Sequence, residues 1–547
     1  MTTSGASYFP ADDTVGILDL TIGSLLRIAS SEEPTRTALI EVTPLGGPAM
    51  VDGVPTGPRK WTYEELLAEA EQAAQWLLTK FAPGEHVCVW APNIAEWVIL
   101  QYGAALAGLV LVTANPALRS AELEYLLNQS MSVGIVYVDT FRGTDMGAII
   151  DAVLPRTSRV REAIRFATWN AEVRGFAGQE RTLPTVLPTD AAQVQYTSGT
   201  TGFPKGAVLH HRGLITNAAY VHRRAEFPRF GVWATALPLF HTAGSGMSVL
   251  GTAASSGTLV LIHLFEPKLV LEALQDWKAD LFAGVPAMYA GLLANPDFDE
   301  YDLTSVMVTA SGGDAVPPAM IREVERRFGS RFTTVYGQTE LCPILAQTSP
   351  NDTDDDRYTT TGRPLWQAEI MIVDAGSGLS VSNGEQGEIC ARGYQLMLGY
   401  FDMPDETRQT IDAEGWLHTG DIGTLDSRGY LRVTGRLKDM IIRGGENIYP
   451  REIESTLITH PSVARVAVIG VTDEVWGESI VAIVIPADPA NPPLQDELRQ
   501  FVRQHLAPHK TPQHWYLASA LPANSMGKIQ NYLLRDQVSS GSLPELP

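Results

Sequence analysis

The chain has 547 residues, too many for one hydrophobic core, so two or more domains are expected. Its formal net charge of −22 argues against nucleic acid or an anionic membrane surface as a partner, so an anionic ligand must be gripped locally by loops and single cations. A 45% hydrophobic content with mean hydropathy −0.01 fits a globular chain, and every long apolar run is interrupted before it could predict a membrane span.

Residues 1–60 read as a loosely structured lead-in with Gly/Pro-rich turns around 44–58, and 1–15 is polar and acidic without the parts of a secretory leader. From Trp61 onward helical and strand patterns alternate. Apolar spacing predicts a helix over 63–78 with Thr62 as N-cap. A strand follows at 86–90, a helix at 94–108, a strand at 109–114 and a helix at 120–129. The short run 192–196 precedes a loop rich in glycine and hydroxyls. Then come strand 279–283, helix 286–294, strand 305–310, helix 317–328 and strand 333–336. This alternation implies parallel strands with helical crossovers, and functional loops belong at the carboxyl ends of those strands. The acidic run 352–356 lacks ligand periodicity and reads as a solvated loop. Residues 415–421 read as a loop before a strand. Beyond Gly435 the pattern becomes helix 450–460, strands 463–471 and 479–485, and helix 494–506, a small α+β domain of about a hundred residues. Cys88, Cys342 and Cys390 are widely spaced, show no metal-ligand spacing, and suit a reducing cytoplasm as buried small hydrophobes.

Four motifs carry chemistry. Tyr196-Thr197-Ser198-Gly199-Thr200-Thr201-Gly202-Phe203-Pro204-Lys205-Gly206 packs hydroxyls, glycines and one lysine into a single loop. Small residues let backbone N–H groups approach an anion, and hydroxyls and an ammonium add donors for phosphate oxygens. It is not a Walker loop, because Gly206 follows Lys205 where Ser or Thr is needed. Tyr336-Gly337-Gln338-Thr339-Glu340 offers an aromatic face for adenine, a hydroxyl for phosphate and a carboxylate for Mg²⁺. Gly415-Trp416-Leu417-His418-Thr419-Gly420-Asp421 ends in an acid suited to accepting two hydroxyls. Asn524-Ser525-Met526-Gly527-Lys528-Ile529 places one of only eight lysines near the C-terminus, which makes it stand out in so acidic a chain.

Together these strings resemble the signatures of the adenylate-forming superfamily, which includes acyl- and aryl-CoA synthetases, peptide-synthetase adenylation domains and beetle luciferases. The resemblance runs from about Trp61 to about Arg535, and Gly387-Glu388-Ile389, Arg392-Gly393 and Gly399-Tyr400 match it as structural positions. It implies an α/β fold with a large N-terminal domain of α/β-sandwich subdomains plus a β-barrel-like subdomain, and a small mobile α+β C-terminal domain. The expected division is 1–437, binding ATP and the acid, and 438–547, carrying the catalytic lysine and the coenzyme A loop, with Lys438 as hinge.

Carried over motif by motif, the resemblance implies that Thr197, Ser198, Gly199, Thr200, Thr201 and Lys205 hold the phosphates. Gly313, Asp314, Tyr336, Gly337, Gln338 and Thr339 surround the nucleotide, Asp421 accepts the ribose hydroxyls, and Arg436 adds a ribose or phosphate contact. Glu340 holds Mg²⁺, and Lys528, Thr200, Glu340 and His241 serve catalysis. The loop Arg443-Gly444-Gly445-Glu446-Asn447 lines the coenzyme A tunnel. His241, Gly244, Gly312 and Gly313 border the acid, and Gly244, Gly246, Gly312 and Gly313 suggest room for a long or bulky apolar one. In Pro238-Leu239-Phe240-His241-Thr242-Ala243-Gly244 the place of the acidic anchor of amino-acid-activating relatives is taken by His241, so no buried anion awaits an ammonium. The reading is a cytoplasmic acyl-CoA synthetase using ATP, Mg²⁺ and coenzyme A on a small-molecule carboxylic acid, with no nucleic acid and no membrane span. A homodimer, or contact with a carrier protein or partner enzyme, stays open. The rivals are an acyl-AMP ligase that hands on its adenylate, a luciferase-like monooxygenase, disfavoured by the Pro-Glu-Leu-Pro end, and a non-catalytic nucleotide-binding homologue, disfavoured by intact Lys205, Glu340 and Lys528.

Overall fold

The computed structural model describes residues 5–44, 57–176, 181–197, 204–443, 446–473, 475–523 and 529–547, without the side chain of Asn447. The chain forms two compact units: one of Phe9–Ile370 and Ala391–Leu417, the other of Met1–Tyr8, Met371–Cys390 and His418–Pro547. This grouping places 371–390 and 418–437 with the C-terminal residues.

The larger unit holds two extended sheets. One runs in the order Gly399–Tyr400, Lys205–His210, Ala191–Thr197, Val110–Ala114, His86–Trp90, Gly134–Tyr137, Glu162–Arg165. Its centre is parallel, and the pairs involving Lys205–His210 are antiparallel. The other runs Arg363–Pro364, Ile344–Gln347, Arg331–Gly337, Val308–Gly312, Leu281–Ala283, Val232–Thr235, Thr258–Ile262, Thr37–Val42, Arg59–Thr62, parallel inside and antiparallel at both ends. Every residue of the helix Ala95–Leu106 is buried, as expected of a helix apolar nearly all round; its two polar residues each have a partner, Glu96 the Arg59 guanidinium and Gln101 the Ser245 carbonyl, to which it donates. The helix Tyr63–Leu77 starts at Thr62, whose hydroxyl and Glu65 form a capping box.

The described part of the first sixty residues is more ordered than expected, while most of the expected turn region, 45–56, lies outside the described residues. Ile22–Glu32 is a helix with a capping box at Thr21, and Thr37–Val42 is a strand inside the nine-stranded sheet. Two other readings change. Residues 417–421 already belong to the strand Leu417–Leu425 rather than to a loop. The acidic run is not wholly solvated: Asp354 opens the helix Asp354–Thr359, Thr353 caps it, and Asp356 is buried with its carboxylate accepting the Thr353 hydroxyl at 2.8 Å. Acids in a first helical turn complement the helix dipole.

The smaller unit contributes most residues of a five-stranded sheet in the order Tyr8–Phe9, Ala368–Val373, Gly387–Gly393, Leu417–Leu425, Leu431–Arg436. The remainder is the expected α+β body. The long strands Val463–Asp473 and Gly477–Pro486 pair antiparallel, and His514–Leu517 adds parallel to the second. Alternation along them divides the core. Val466, Val468, Ile480, Ala482 and Val484 face the helices Pro450–Leu457 and Gln495–His505, while Ala467, Ile469, Val481 and Ile483 face Leu534 of the helix Asn531–Ser539.

Candidate active site

The glycine-rich motif joins two strands that pair antiparallel. Thr197 ends one strand, Lys205 begins the next, and the two are register partners. Ser198, Gly199, Thr200 and Thr201 lie outside the described residues. Lys205 places its ammonium over the ring of Tyr400, 5.1 Å from the centroid. The Tyr400 hydroxyl donates to Glu340 Oε1 at 2.7 Å. Glu340 is buried in a 3₁₀ turn, Thr339–Leu341, and its backbone carbonyl accepts the Met397 N–H at 2.9 Å. Desolvation, with the Glu340 charge beside it, drives the Tyr400 hydroxyl well above its ordinary pKa, so it stays a donor. Lys205, Tyr400 and Glu340 therefore form one constellation. Tyr400 had read as structural; its position just after Gly399 gave no hint of a partner more than fifty residues upstream.

The residues expected around the nucleotide base leave the carboxyl ends of two neighbouring strands inside the nine-stranded sheet. The strands Val308–Gly312 and Arg331–Gly337 run parallel, with Gly312 beside Val335. Gly313 and Asp314 thus leave the sheet next to Gln338 and Thr339, at carboxyl ends as the fold rule requires. Gly313 has φ +79°, and nothing lies within 4 Å of where its Cβ would stand. Asp314 is exposed, and its Oδ1 accepts the Ala315 N–H at 2.7 Å. Tyr336 is buried at the strand end.

His241 stands at the entrance to a π-helical segment, Ala243–Leu250, a geometry common at functional sites. Two neighbours fix its loop. Asn93 Nδ2 donates to the carbonyls of Leu237 and Ile262, both at 3.1 Å, and its Oδ1 accepts the Leu239 N–H at 2.9 Å. Thr113 donates its hydroxyl to the Phe240 carbonyl at 2.7 Å. His241 Nδ1 accepts the Ala243 N–H at 3.2 Å, which leaves the proton on Nε2. Desolvation lowers its pKa to about 4, so the ring is a neutral donor at neutral pH. Asn93 and Thr113 were not anticipated; their partners are more than a hundred residues away in sequence.

The four glycines assigned to the acid pocket divide in two. A Cβ at Gly244 would meet the Pro238 carbonyl oxygen at 2.2 Å, and one at Gly312 the Val335 carbonyl oxygen at 2.3 Å. These two are glycine because backbone approaches them, so they say nothing about pocket width. At Gly246 the nearest atom is 3.5 Å away, so Gly246 and Gly313 alone have space before them.

In the smaller unit Asp421 and Arg436 face each other across a hairpin, with Arg436 Nε 2.9 Å from Asp421 Oδ1. Asp421 is 4% exposed, so its carboxylate is held in one orientation by its neighbour. Lys438 sits in the 3₁₀ turn Leu437–Asp439, its pKa lowered by desolvation and by the Arg436 charge. Arg443 lays its guanidinium over Trp476 at 4.7 Å, and Glu446 is exposed. Gly444, Gly445, the Asn447 side chain and Lys528 lie outside the described residues.

The family model described as AMP-binding enzyme matches residues 31–401, and that described as AMP-binding enzyme C-terminal domain matches 452–528. YngI of Bacillus subtilis (strain 168), which carries an acyl-CoA synthetase name, is 35% identical over 95% of this chain and 97% of its own. The mouse (Mus musculus) medium-chain acyl-CoA ligase ACSF2, mitochondrial, is 31% identical over 98% of this chain and 90% of its own. Among solved structures, a Mycobacterium tuberculosis fatty acyl CoA synthetase superposes with a TM-score of 0.75 at 30% identity, covering 95% of this chain and 99% of that one. With family models over most of its length and relatives of matching extent, the chain belongs to the AMP-binding enzymes, in the acyl-CoA synthetase branch of the adenylate-forming superfamily, and is an acid–thiol ligase that joins a small-molecule carboxylic acid to coenzyme A with ATP and release of AMP.

Proposed function

We propose that the acid is apolar, of the fatty-acid or bulky hydrocarbon type, and carries no α-amino group. The observation that carries this is His241. Its imidazole is a neutral donor, not the anion that a substrate ammonium beside it would need. Burying an unpaired ammonium costs several kcal/mol, roughly 3 or more. The relatives named for medium-chain and fatty acyl substrates support the same class. Chain length stays with experiment, because the packing roles of Gly244 and Gly312 leave only Gly246 and Gly313 as indicators of room.

The chemistry runs in two steps. The acid's carboxylate attacks the α-phosphorus of ATP, pyrophosphate leaves, and the thiol of coenzyme A then displaces AMP from the acyl-adenylate. Thr197–Thr201 and Lys205 bind phosphates, Tyr336 packs on adenine, and Asp421 takes the ribose hydroxyls, with Arg436 orienting it. Glu340, a buried oxygen donor steadied by Tyr400, suits a hard cation such as Mg²⁺, which would neutralise phosphate charge when bound. Lys528 stabilises the charge developing at the α-phosphate. The loop Arg443–Asn447 serves the thiol step after residues 438–547 rotate about Lys438. The three cysteines are buried, and among the described residues none forms a disulfide, which supports a reducing compartment such as the cytoplasm. Among the described residues no helix is long and apolar enough to cross a membrane.

The test is pyrophosphate release over a panel of fatty, aryl, polycyclic and amino acids, with and without coenzyme A. Apolar acids should be activated best. Better turnover of a free amino acid would refute the assignment of the acid.

A further inference from the structure

Outside the nucleotide and acid contacts, three metal-competent side chains converge in the smaller unit. Glu388 and Cys390 are two residues apart on the strand Gly387–Gly393, so both point to one face. His418 stands on the adjacent strand, Leu417–Leu425. Its Nδ1 is 2.9 Å from Glu388 Oε2 and 3.5 Å from Cys390 Sγ, and one ligand atom from each residue lies within 4.8 Å of the other two. Zinc–sulfur and zinc–nitrogen bonds of about 2.3 and 2.0–2.1 Å in a tetrahedron give an S···N edge of about 3.5 Å. The His418–Cys390 edge already has that length, and the His418–Glu388 edge needs to open by only a few tenths of an ångström.

The surroundings hold the donors in place. Glu388 Oε1 accepts the Gly420 N–H at 3.1 Å, and Thr419 donates its hydroxyl to the Ile389 carbonyl at 2.7 Å, tying the two strands together between the three residues. Cys390 is 1% and Glu388 8% exposed, while the His418 side chain is 33% exposed, so an ion would enter beside the imidazole and keep a water there. Hydrogen bonds of this kind are what orient ligating carboxylates and imidazoles.

We propose that Glu388, Cys390 and His418 form a binding site for a thiophilic divalent cation of the zinc type, distinct from the Mg²⁺ that accompanies ATP. Thiolate and imidazole ligands select such an ion over a hard one. On binding, the proton on His418 Nδ1 and that on the Cys390 thiol pass to solvent, while the carboxylate gives none. The ion would brace the strand that carries Asp421 three residues further on.

The test uses the full-length chain, stripped with a chelator and titrated with Zn²⁺ against a chromophoric competitor. One equivalent should bind per chain, with release of protons, and Cys390→Ser and His418→Gln should each weaken it at least about tenfold. Co²⁺ loading of the wild type should give thiolate-to-cobalt charge-transfer absorption, and Cys390→Ser should remove it. This measurement needs no variant to fold for its first answer. Equal Zn²⁺ affinity in wild type and both variants, or a cobalt spectrum without the thiolate band, would overturn the site.

Discussion

Tyr400 joins two residues that sequence motifs kept apart. Its ring carries the Lys205 ammonium and its hydroxyl satisfies the Glu340 carboxylate. Tyr400→Phe keeps the ring and deletes the hydroxyl, leaving one buried carboxylate oxygen short of a charge-assisted bond worth about 1.5–3 kcal/mol. If Glu340 holds Mg²⁺, the variant should need about tenfold more Mg²⁺ for half-maximal pyrophosphate exchange, with Lys205 still in place. An unchanged Mg²⁺ requirement would separate Glu340 from the metal. His241 gives a second prediction, on pH. Its folded pKa, about 4, lies below the ordinary 6.5 because burial penalises the charged ring. The unfolded chain therefore binds the extra proton first as pH falls. The contribution of His241 to stability is fully present above about pH 6.5 and is lost between there and about pH 4. His241→Asn cannot titrate, so it should lose less stability than wild type when urea unfolding is compared across that window. A matching acid loss in both proteins would assign the pH dependence elsewhere.

The elements most legible in the sequence were those whose information is local. The helix Tyr63–Leu77, the strand His86–Trp90 and the helix Ser120–Gln129 follow from a cap, a short apolar run and helical spacing. The lead-in was missed because Thr37–Val42 becomes a strand by pairing with Thr258–Ile262, over two hundred residues away, and no local period announces that. The site was legible at the motif strings and illegible where partners are distant, as with Asn93 on the His241 loop. Glycines were the least transparent letters. Gly337 belongs to a nucleotide motif, yet a Cβ there would meet the Pro343 carbonyl oxygen at 2.0 Å, at a register break between the strands Arg331–Gly337 and Ile344–Gln347. Gly337→Ala must push that backbone away and should destabilise the larger unit by about 2 kcal/mol or more, the range for overpacking. Gly313→Ala, with open space but φ +79°, should cost only about 1 kcal/mol. Chemical denaturation of both variants checks the order, and a milder effect at Gly337 than at Gly313 would contradict the packing account.

At the scale of the whole molecule the proposed chemistry asks for two arrangements in turn. If Lys528 acts at the α-phosphate in the first step and Gly445 borders the path of the thiol to the acyl carbon in the second, one wall cannot serve both. Both residues follow Lys438 in sequence, about eighty residues apart, so a rotation about Lys438 would exchange them. Arg436 is extended, with φ −125° and ψ 138°, and the chain then enters the 3₁₀ turn Leu437–Asp439. A proline at 438 fixes its own φ near −65° and drives Leu437 out of the helical region that this turn uses. Lys438→Pro should therefore hold the hinge in an altered conformation and depress one half-reaction much more than the other. Lys528→Ala should lower adenylate formation about 10²–10³-fold, the scale for losing one preorganised charge, while thioester formation from supplied acyl-adenylate largely survives. Gly445→Leu should do the reverse by filling the thiol path. Acid-dependent pyrophosphate exchange and acyl-CoA formation, measured separately for the three variants, decide the matter. Loss of both steps alike in Lys528→Ala and in Gly445→Leu would mean that a single fixed arrangement performs the whole reaction.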